Sequence, residues 1–438
     1  MNRFGLLNIF FVALLILALG LNEPGVAWSE HSQTDLTGQN VTITDEGNYF
    51  KVELLIHGGN SENGVSRRQI GSEYGAGILK AVPGYEALID SYLADCSGND
   101  RVYNILMKRV ADIRPRIEPD YLDEILGMAS QFSGTQNIRD DGRLSEDEVL
   151  LFNLLPDVNR LTQCAALAVF GKRSETRRTI AARLLDWYDG SAGQIAKIQA
   201  ITVIRQGNRS VCLIGYLGFQ GMLTGFNTRG IFGGILDSPT GKPFSTVGKR
   251  SYSMDFRHAM ENCDTLQDVA GYMADDSRGY TFNHLIFLGD PLHSQVLENN
   301  WSGDGNRMRR GLRSWNSPLN PGISWKIPEA VGAVNSFVLK GNADNHTSRY
   351  NTNASRWDAM KSALLAQGKE VTFQELRQVI SFHHSGSGKP KEGSLYNPLT
   401  QQIIMFIPGT LEMEVFFKPR NGPMPDEPVF EKVAIDFK

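Results

Sequence analysis

The hydrophobic period of the chain changes near residue 160, and this change limits the architectures open to it. From Tyr74 to about Ala129 apolar residues recur at helical spacing: Ile78, Leu79 and Val82, then Leu88, Ile89, Tyr92 and Leu93, then Ile105, Leu106, Val110 and Ile113. Pro119 followed by Asp120, Asp123 and Glu124 reads as a helix start with acids near its positive end. Ser145 to Glu148, ahead of Val149-Leu150-Leu151, has the form of a capping box. After Arg160 short apolar runs alternate with glycine turns, at 164–170, 179–187, 200–205, 210–217 and 230–236. These read as strands and hairpins. Helical stretches return at 254–273 and 357–367, and strands at 284–288, 295–298 and 401–407. Earlier, 51–57 reads as a strand and 28–48 as polar and loose. A helix-rich first third before a strand-rich remainder predicts an α+β chain, layered as αββα with antiparallel sheets.

The first thirty residues stand apart. Arg3, the apolar run Leu6 to Leu21 and the small residues Gly25-Val26-Ala27 follow the order of a secretory signal. A cut after Ala27 is expected, giving a secreted, periplasmic or lumenal protein without an integral membrane segment. An uncleaved anchor is the other reading, because the run is near the shortest that spans a bilayer. Export gives meaning to five Asn-x-Ser/Thr sequons, at Asn40, Asn208, Asn300, Asn345 and Asn353, which a eukaryotic pathway can glycosylate. The 44 basic and 48 acidic residues leave a net charge of −4, which offers no electrostatic case for nucleic acid or an anionic membrane. Four cysteines are too few for a disulfide scaffold. Cys96, Cys212 and Cys263 leave their pairing open, and no spacing with His suggests a metal.

Two motifs are decoys. His383-His384 are neighbours and cannot both reach one ion from one strand face, so they read as loop. Asn137 to Glu148 has the length of a calcium loop, but Arg139 stands where a ligand belongs. Neither a metal nor a cofactor is expected.

Cys164 opens the first strand after the change of period, and the return strand ends Arg183-Leu184-Leu185-Asp186-Trp187. In an antiparallel hairpin these ends lie side by side. Arg183 can then lower the thiol pKa and hold an anion, and Asp186 can bind an amine near the sulfur. The plain alternative is a buried structural cysteine beside an ordinary ion pair.

Thr162 to Gly171 followed by Ala182 to Trp187 resembles the N-terminal-nucleophile (Ntn) hydrolases of the isopenicillin N acyltransferase type, relatives of choloylglycine hydrolases and acid ceramidases. Leu184 departs from that pattern, which has Asn there. Other segments agree in order: the glycine-rich Gly218 to Gly230, Asn283-His284-Leu285 before Asp290 and Glu298, and Ser355-Arg356-Trp357. Asp237 falls where choloylglycine hydrolases place an oxyanion-hole Asn. Pro119 to Ala129 and Leu150 to Pro156 resemble propeptide-side helices. The resemblance implies a four-layer Ntn sandwich, cut between Gln163 and Cys164. Residues 1–27 are then the signal, 28–163 the helix-rich leading chain and 164–438 the catalytic chain, with the two processed chains associated as a heterodimer. It implies Cys164 as nucleophile, Asp186 positioning its new amino group, Asn283 as oxyanion donor, and Arg183 holding charge at the active centre. Arg356, Ser355 and Asp237 fall to substrate binding. The expected substrate is a small amide or acyl compound, hydrolysed or transferred through a thioester. A lumenal lipid amidase or phospholipase-B-like hydrolase, and a non-catalytic binding protein with the same fold, are the alternatives.

Overall fold

The computed structural model describes residues 36–37, 40–56, 65–159, 162–238, 245–300, 310–342, 346–347, 352–384 and 392–437. The apolar leader, its cut after Ala27 and the sequon at Asn345 lie outside them.

Within these residues the chain forms two sheets. The first begins with β1 (Leu36–Thr37), β2 (Val41–Asp45) and β3 (Phe50–Leu55). Val41 and Ile43 are buried while Thr42 and Thr44 are half-buried, the alternation of a strand with one face inward. So part of the stretch read as loose is a strand, its short V-T-I-T alternation being the signal. The second sheet is seeded by β4 (Thr162–Val169) and β5 (Ile180–Trp187). The chain then returns to the first sheet with β6 (Gln199–Arg205), β7 (Val211–Tyr216), β8 (Thr224–Asn227), β9 (Phe232–Asp237), β10 (His284–Gly289), β11 (Ser294–Asn299) and β12 (Arg310–Arg313). It closes the second with β13 (Ala330–Val334), β14 (Thr400–Ile407), β15 (Glu412–Phe417) and β16 (Glu431–Val433). Strand order is β1-β2-β3-β6-β7-β8-β9-β10-β11-β12 in one sheet and β13-β4-β5-β14-β15-β16 in the other. Neighbours are antiparallel except β3 and β6, which run parallel. The leading segment therefore shares a sheet with the strands that follow Cys164.

Helices cover both outer faces. On the first sheet lie α1 (Arg67–Ala81), α2 (Tyr85–Ser97), α3 (Asp100–Ile113), α4 (Pro119–Ala129), α5 (Glu146–Val158), α6 (Tyr252–Asn262) and α7 (Leu266–Ala274). α1 packs on β2, α6 on β8 and α7 on β10 to β12. On the second sheet lie α8 (Asn353–Ala366), against β13, and α9 (Phe373–Ile380), against β4, β5 and β14. The side-chain alternation of β4 and β5 separates two cores. Cys164, Ala166, Ala168, Ala181 and Leu185 face the other sheet. Ala165, Leu167, Ile180, Ala182 and Leu184 face Trp357, Met360, Leu376 and Val379 of α8 and α9. This is the α+β, αββα sandwich that the period change predicts.

Two local devices fix the leading helices. α1 and α4 cross with their backbones in contact: a Cβ at Gly71 would lie 2.0 Å from the Glu124 carbonyl oxygen, and one at Gly127 2.0 Å from that of Arg68. The expected capping box closes α5, with Glu148 N–H donating to Ser145 Oγ and Ser145 N–H to the Glu148 carboxylate. Glu148 also accepts from Tyr103 Oη, and the amides of Asp140 and Gly142 donate to Asp90. The calcium-like stretch is thus a loop tied to Asp90 by its backbone amides, running into the capped first turn of α5.

Candidate active site

Cys164 stands opposite Leu185 in the β4–β5 ladder, Ala166 opposite Arg183, and Gln163 opposite Asp186. Facing residues share a side of the sheet. Arg183 and Cys164 therefore both point between the two sheets. Arg183 Nη2 donates to Cys164 Sγ at 3.4 Å and to the Ile235 carbonyl of β9 at 2.8 Å. Both residues are buried. The crossing is close: a Cβ on Gly234 would come within 2.9 Å of Arg183 Cγ, so the bare backbone of β9 admits the guanidinium. Arg183 Nε and Nη1 are buried without a protein partner.

Burial pushes the Cys164 thiol up to about 11; Arg183 and Arg356 pull it down while Asp186 and Asp237 raise it. The same burial lowers the pKa of Arg183 and of Arg356. A thiol so placed is protonated at neutral pH and needs a base.

The main chain of Cys164 is gripped from both sides. Its N–H donates to Asn335 Oδ1 at 2.6 Å, and its carbonyl accepts from Arg356 Nη2 at 2.6 Å. Arg356 Nη1 also reaches Asn335 Oδ1, at 3.2 Å. Asn335 Nδ2 donates to the Asp237 carbonyl at 2.7 Å, and the Asn335 carbonyl accepts from Asn353 Nδ2 at 2.8 Å. Asn335 directly follows β13, whose Val334 pairs with Ala165, so the register carries it to the side of Cys164. The sequence reading missed this residue because it missed β13. The signal was there: the apolar run Ala330 to Val334 ends in Asn335-Ser336.

Asp186 accepts from Thr400 Oγ1 at 2.7 Å and from Asn397 Nδ2 at 2.8 Å. Burial raises its pKa, and Arg356 leads the groups that oppose this. The Cys164 N–H goes to Asn335, not to Asp186. Asn283 gives a side-chain N–H to Asn300 Oδ1 at 3.0 Å, and its carbonyl accepts from the Ser238 amide at 3.0 Å. Asn335 also brings a side-chain amide to Cys164, through its Oδ1. Asp237 pairs with His284, and its carboxylate accepts from Tyr252 Oη at 3.4 Å. Ser355 Oγ donates to the Thr352 carbonyl in the first turn of its own helix. Gln163 is exposed, one residue before the buried Cys164.

Beside the site, Trp187, Tyr216, Tyr92, Phe152, Leu155 and Phe219 enclose an apolar cavity of about 10 Å³. The Tyr216 hydroxyl is buried without a protein partner; burial raises its pKa, and the Arg183 charge opposes this. Among the described residues no three of His, Cys, Asp and Glu are placed to share a metal ion.

No protein-family model and no curated protein matches the chain. Solved structures that are similar include a Caenorhabditis elegans N-acylethanolamine-hydrolyzing acid amidase ortholog, with TM-score 0.39 and 15% identity, covering 56% of this chain and 93% of that one. A mutant of the conjugated bile acid hydrolase of Clostridium perfringens gives 0.35 and 12%, covering 63% and 97%. Penicillin V acylase from Agrobacterium tumefaciens gives 0.35 and 12%, covering 58% and 83%. Likeness of fold leaves the chemistry to be read from the side chains.

Proposed function

We propose that this chain is an exported, self-cleaving cysteine hydrolase of amide C–N bonds. The observation that carries the reading is the setting of Cys164: a buried thiol on Arg183, its own N–H on Asn335 and its carbonyl on Arg356. A purely structural cysteine has no use for two buried cations and an amide clamp.

The cut begins with the Cys164 thiol attacking the Gln163 carbonyl. The Gln163–Cys164 C–N bond breaks as the C–S bond forms, and the thiol proton passes to the departing nitrogen. Water then hydrolyses the thioester, leaving Gln163 with a carboxylate and Cys164 with a free thiol and α-amine. An α-amine has a reference pKa of about 7.7–8.0. It supplies the base that the buried thiol lacks before the cut. In turnover the thiol adds to a substrate amide, its proton leaves with the amine, and a thioester remains on Sγ. Water completes hydrolysis; a second amine would complete acyl transfer. Arg183, whose Nε and Nη1 are unclaimed, is the donor we assign to the developing oxyanion; Asn335 turns its oxygen to Cys164 and serves to hold the new α-amine.

A lipid amide is a second reading of the same nucleophile, but the apolar cavity beside Trp187, at about 10 Å³, has no room for an acyl chain and gives that reading no support. Export rests on the residue order at the amino terminus; no helix among the described residues is long and apolar enough to cross a membrane. N-terminal sequencing of the purified protein tests the proposal: termini at Trp28 and Cys164 are expected. A single chain running through Gln163–Cys164, unchanged by Cys164→Ala, would sink it.

A further inference from the structure

The chain upstream of the scissile bond is anchored by a cluster that the chemistry above does not use. Asp157 lies in the last turn of α5, seven residues before Cys164, and is wholly buried. Its carboxyl group meets the first turn of α6: Ser251 Oγ lies 2.6 Å from Oδ2, and the Tyr252 amide donates to Oδ1 at 2.9 Å. Ser251 is the N-cap of α6. Tyr252 Oη donates to the Pro156 carbonyl at 2.5 Å and also reaches Asp237 Oδ1 at 3.4 Å. The Asp237 carbonyl in turn accepts from Asn335 Nδ2, and Asn335 Oδ1 accepts from the Cys164 amide. One continuous path of hydrogen bonds thus joins Pro156 and Asp157, before the cut, to Cys164, after it.

The residues on either side of Asp157 are held as well. The Val158 carbonyl is taken by Arg109 Nη1 at 2.6 Å, and Asn159 Nδ2 donates to the Cys96 carbonyl at 3.1 Å. So three consecutive positions and the preceding proline are pinned. β4 opens at Thr162, so the Gln163–Cys164 bond lies in the first residues of the strand that follows α5. Both ends of the segment holding the Gln163–Cys164 bond are fixed, one by Asn335 and the other by Asp157 and Tyr252.

Resting on the self-cleavage reading, we propose that Asp157 and Tyr252 are positioning residues for the cut. They clasp the end of α5 to α6 so that the Gln163 carbonyl is presented to the Cys164 thiol. After the cut they hold the new carboxy-terminal end of the leading chain on the catalytic chain. The clasp acts on the geometry of the bond and takes no part in the proton transfers.

The test is a chase of the full chain made by cell-free synthesis, following cleavage at Gln163–Cys164 by gel and by sequencing the new terminus. Asp157→Ala loses both contacts and is expected to slow the cut by roughly tenfold or more, since displacements near 1 Å cost about that much or more. Asp157→Asn can accept from the Tyr252 amide and donate to Ser251 Oγ, and is expected to restore the rate. Tyr252→Phe keeps the amide contact, loses the bonds to Pro156 and Asp237, and is expected to be slow. Cutting of Asp157→Ala at the wild-type rate, or no rescue by Asn, overturns the proposal. If Asp157→Ala lacks cooperative unfolding, Tyr252→Phe decides alone, and a wild-type rate there overturns it. A wild-type chain that does not cut refutes self-cleavage itself, and this proposal with it, before any variant is compared.

Discussion

Arg183 offers one N–H pair of its guanidinium to Cys164 Sγ and to the Ile235 carbonyl at once, at 3.4 and 2.8 Å. The carbonyl fixes the cation, and the fixed cation sets the charge felt by the sulfur. Because the guanidinium is buried and its Nε and Nη1 are unspent on protein, a substrate anion or oxyanion can be met without reorganisation. A nearby cation favours a thiolate and burial disfavours it; here burial is the larger effect, which keeps the thiol protonated at neutral pH.

Asn335→Ala tests the amide clamp. It removes the acceptor of the Cys164 N–H and leaves a buried donor unsatisfied, a loss of about 1–3 kcal/mol. Urea unfolding should show that loss with an unchanged slope. Self-cleavage should slow in the same variant, because the nitrogen that must leave Gln163 has lost its anchor. Full stability and a wild-type cut would show that the clamp is incidental.

Arg183→Met keeps length and removes charge. The Cys164 thiol should then titrate at higher pH, since Arg183 is the largest of the groups that lower it. In the cut protein, the pH profile of iodoacetamide labelling should move in the alkaline direction. Amide turnover should fall by roughly 10²–10³, the scale for losing one fixed oxyanion donor. Arg183→Lys restores a charge but not the fork that spans Sγ and Ile235, so it should rescue labelling better than turnover.

Much of this was legible in the residues, and the exceptions have physical causes. The change of period near Arg160 marks where the leading helices end and β4 begins, and the capping box at Ser145 names the start of α5. The hairpin brings Cys164 and Arg183 together because antiparallel pairing makes residues far apart in sequence neighbours. Asn335 escaped because β13 is a short run of Ala, Val and Gly, so its apolar signal is weak beside the longer runs of Leu and Ile in the other strands. Asp157 escaped because its importance depends on the first turn of α6, close to a hundred residues away. Long-range pairs of this kind leave no local pattern. The segment 254–273 reads as one helix but is two, α6 and α7, parted where Thr265 caps the second.

Gly234→Ala should show that β9 is shaped around Arg183. The added methyl would lie 2.9 Å from Arg183 Cγ and 3.1 Å from Nε. The long side chain must shift, so overpacking of about 1–3 kcal/mol is expected. The useful readout is the ratio of effects: activity should fall further than stability, because the shift moves the guanidinium off Sγ. A variant as active as wild type would mean that Arg183 has room to spare.

Of the four sequons among the described residues, only Asn208 is exposed. Asn40 donates to Glu73, Asn300 lies among Asn283 and Asn342, and Asn353 donates to the Asn335 carbonyl. All three are buried, and a glycan on any of them would block its packing. Asn208 stands in the turn between β6 and β7. In a secreting eukaryotic host, Asn208→Gln should remove a glycan's mass on a gel, while Asn300→Gln should leave glycan mass unchanged and cost stability.

Asp157 also gives the fold a measurable pH dependence. Burial, with Asp255 and Asp237 adding to it, raises its pKa from 3.8 to about 8, against the pull of Ser251 and the Tyr252 amide. In the folded chain this carboxyl group keeps its proton up to about pH 8; in the unfolded chain it loses it near pH 4. Between those values the folded state binds the extra proton, so stability from this group falls as pH rises. Other carboxylates slope the other way: burial penalises Glu124, but Arg257 and Arg67 outweigh it and lower its pKa. The contribution of Asp157 is therefore read as a difference between proteins. Asp157→Asn cannot ionise and mimics the protonated acid. Its unfolding temperature relative to wild type should climb from pH 4 to pH 8 and level off above. A difference that stays flat across that window would mean that Asp157 titrates as an ordinary carboxylate in the folded chain, ionised and held by Ser251 and the Tyr252 amide.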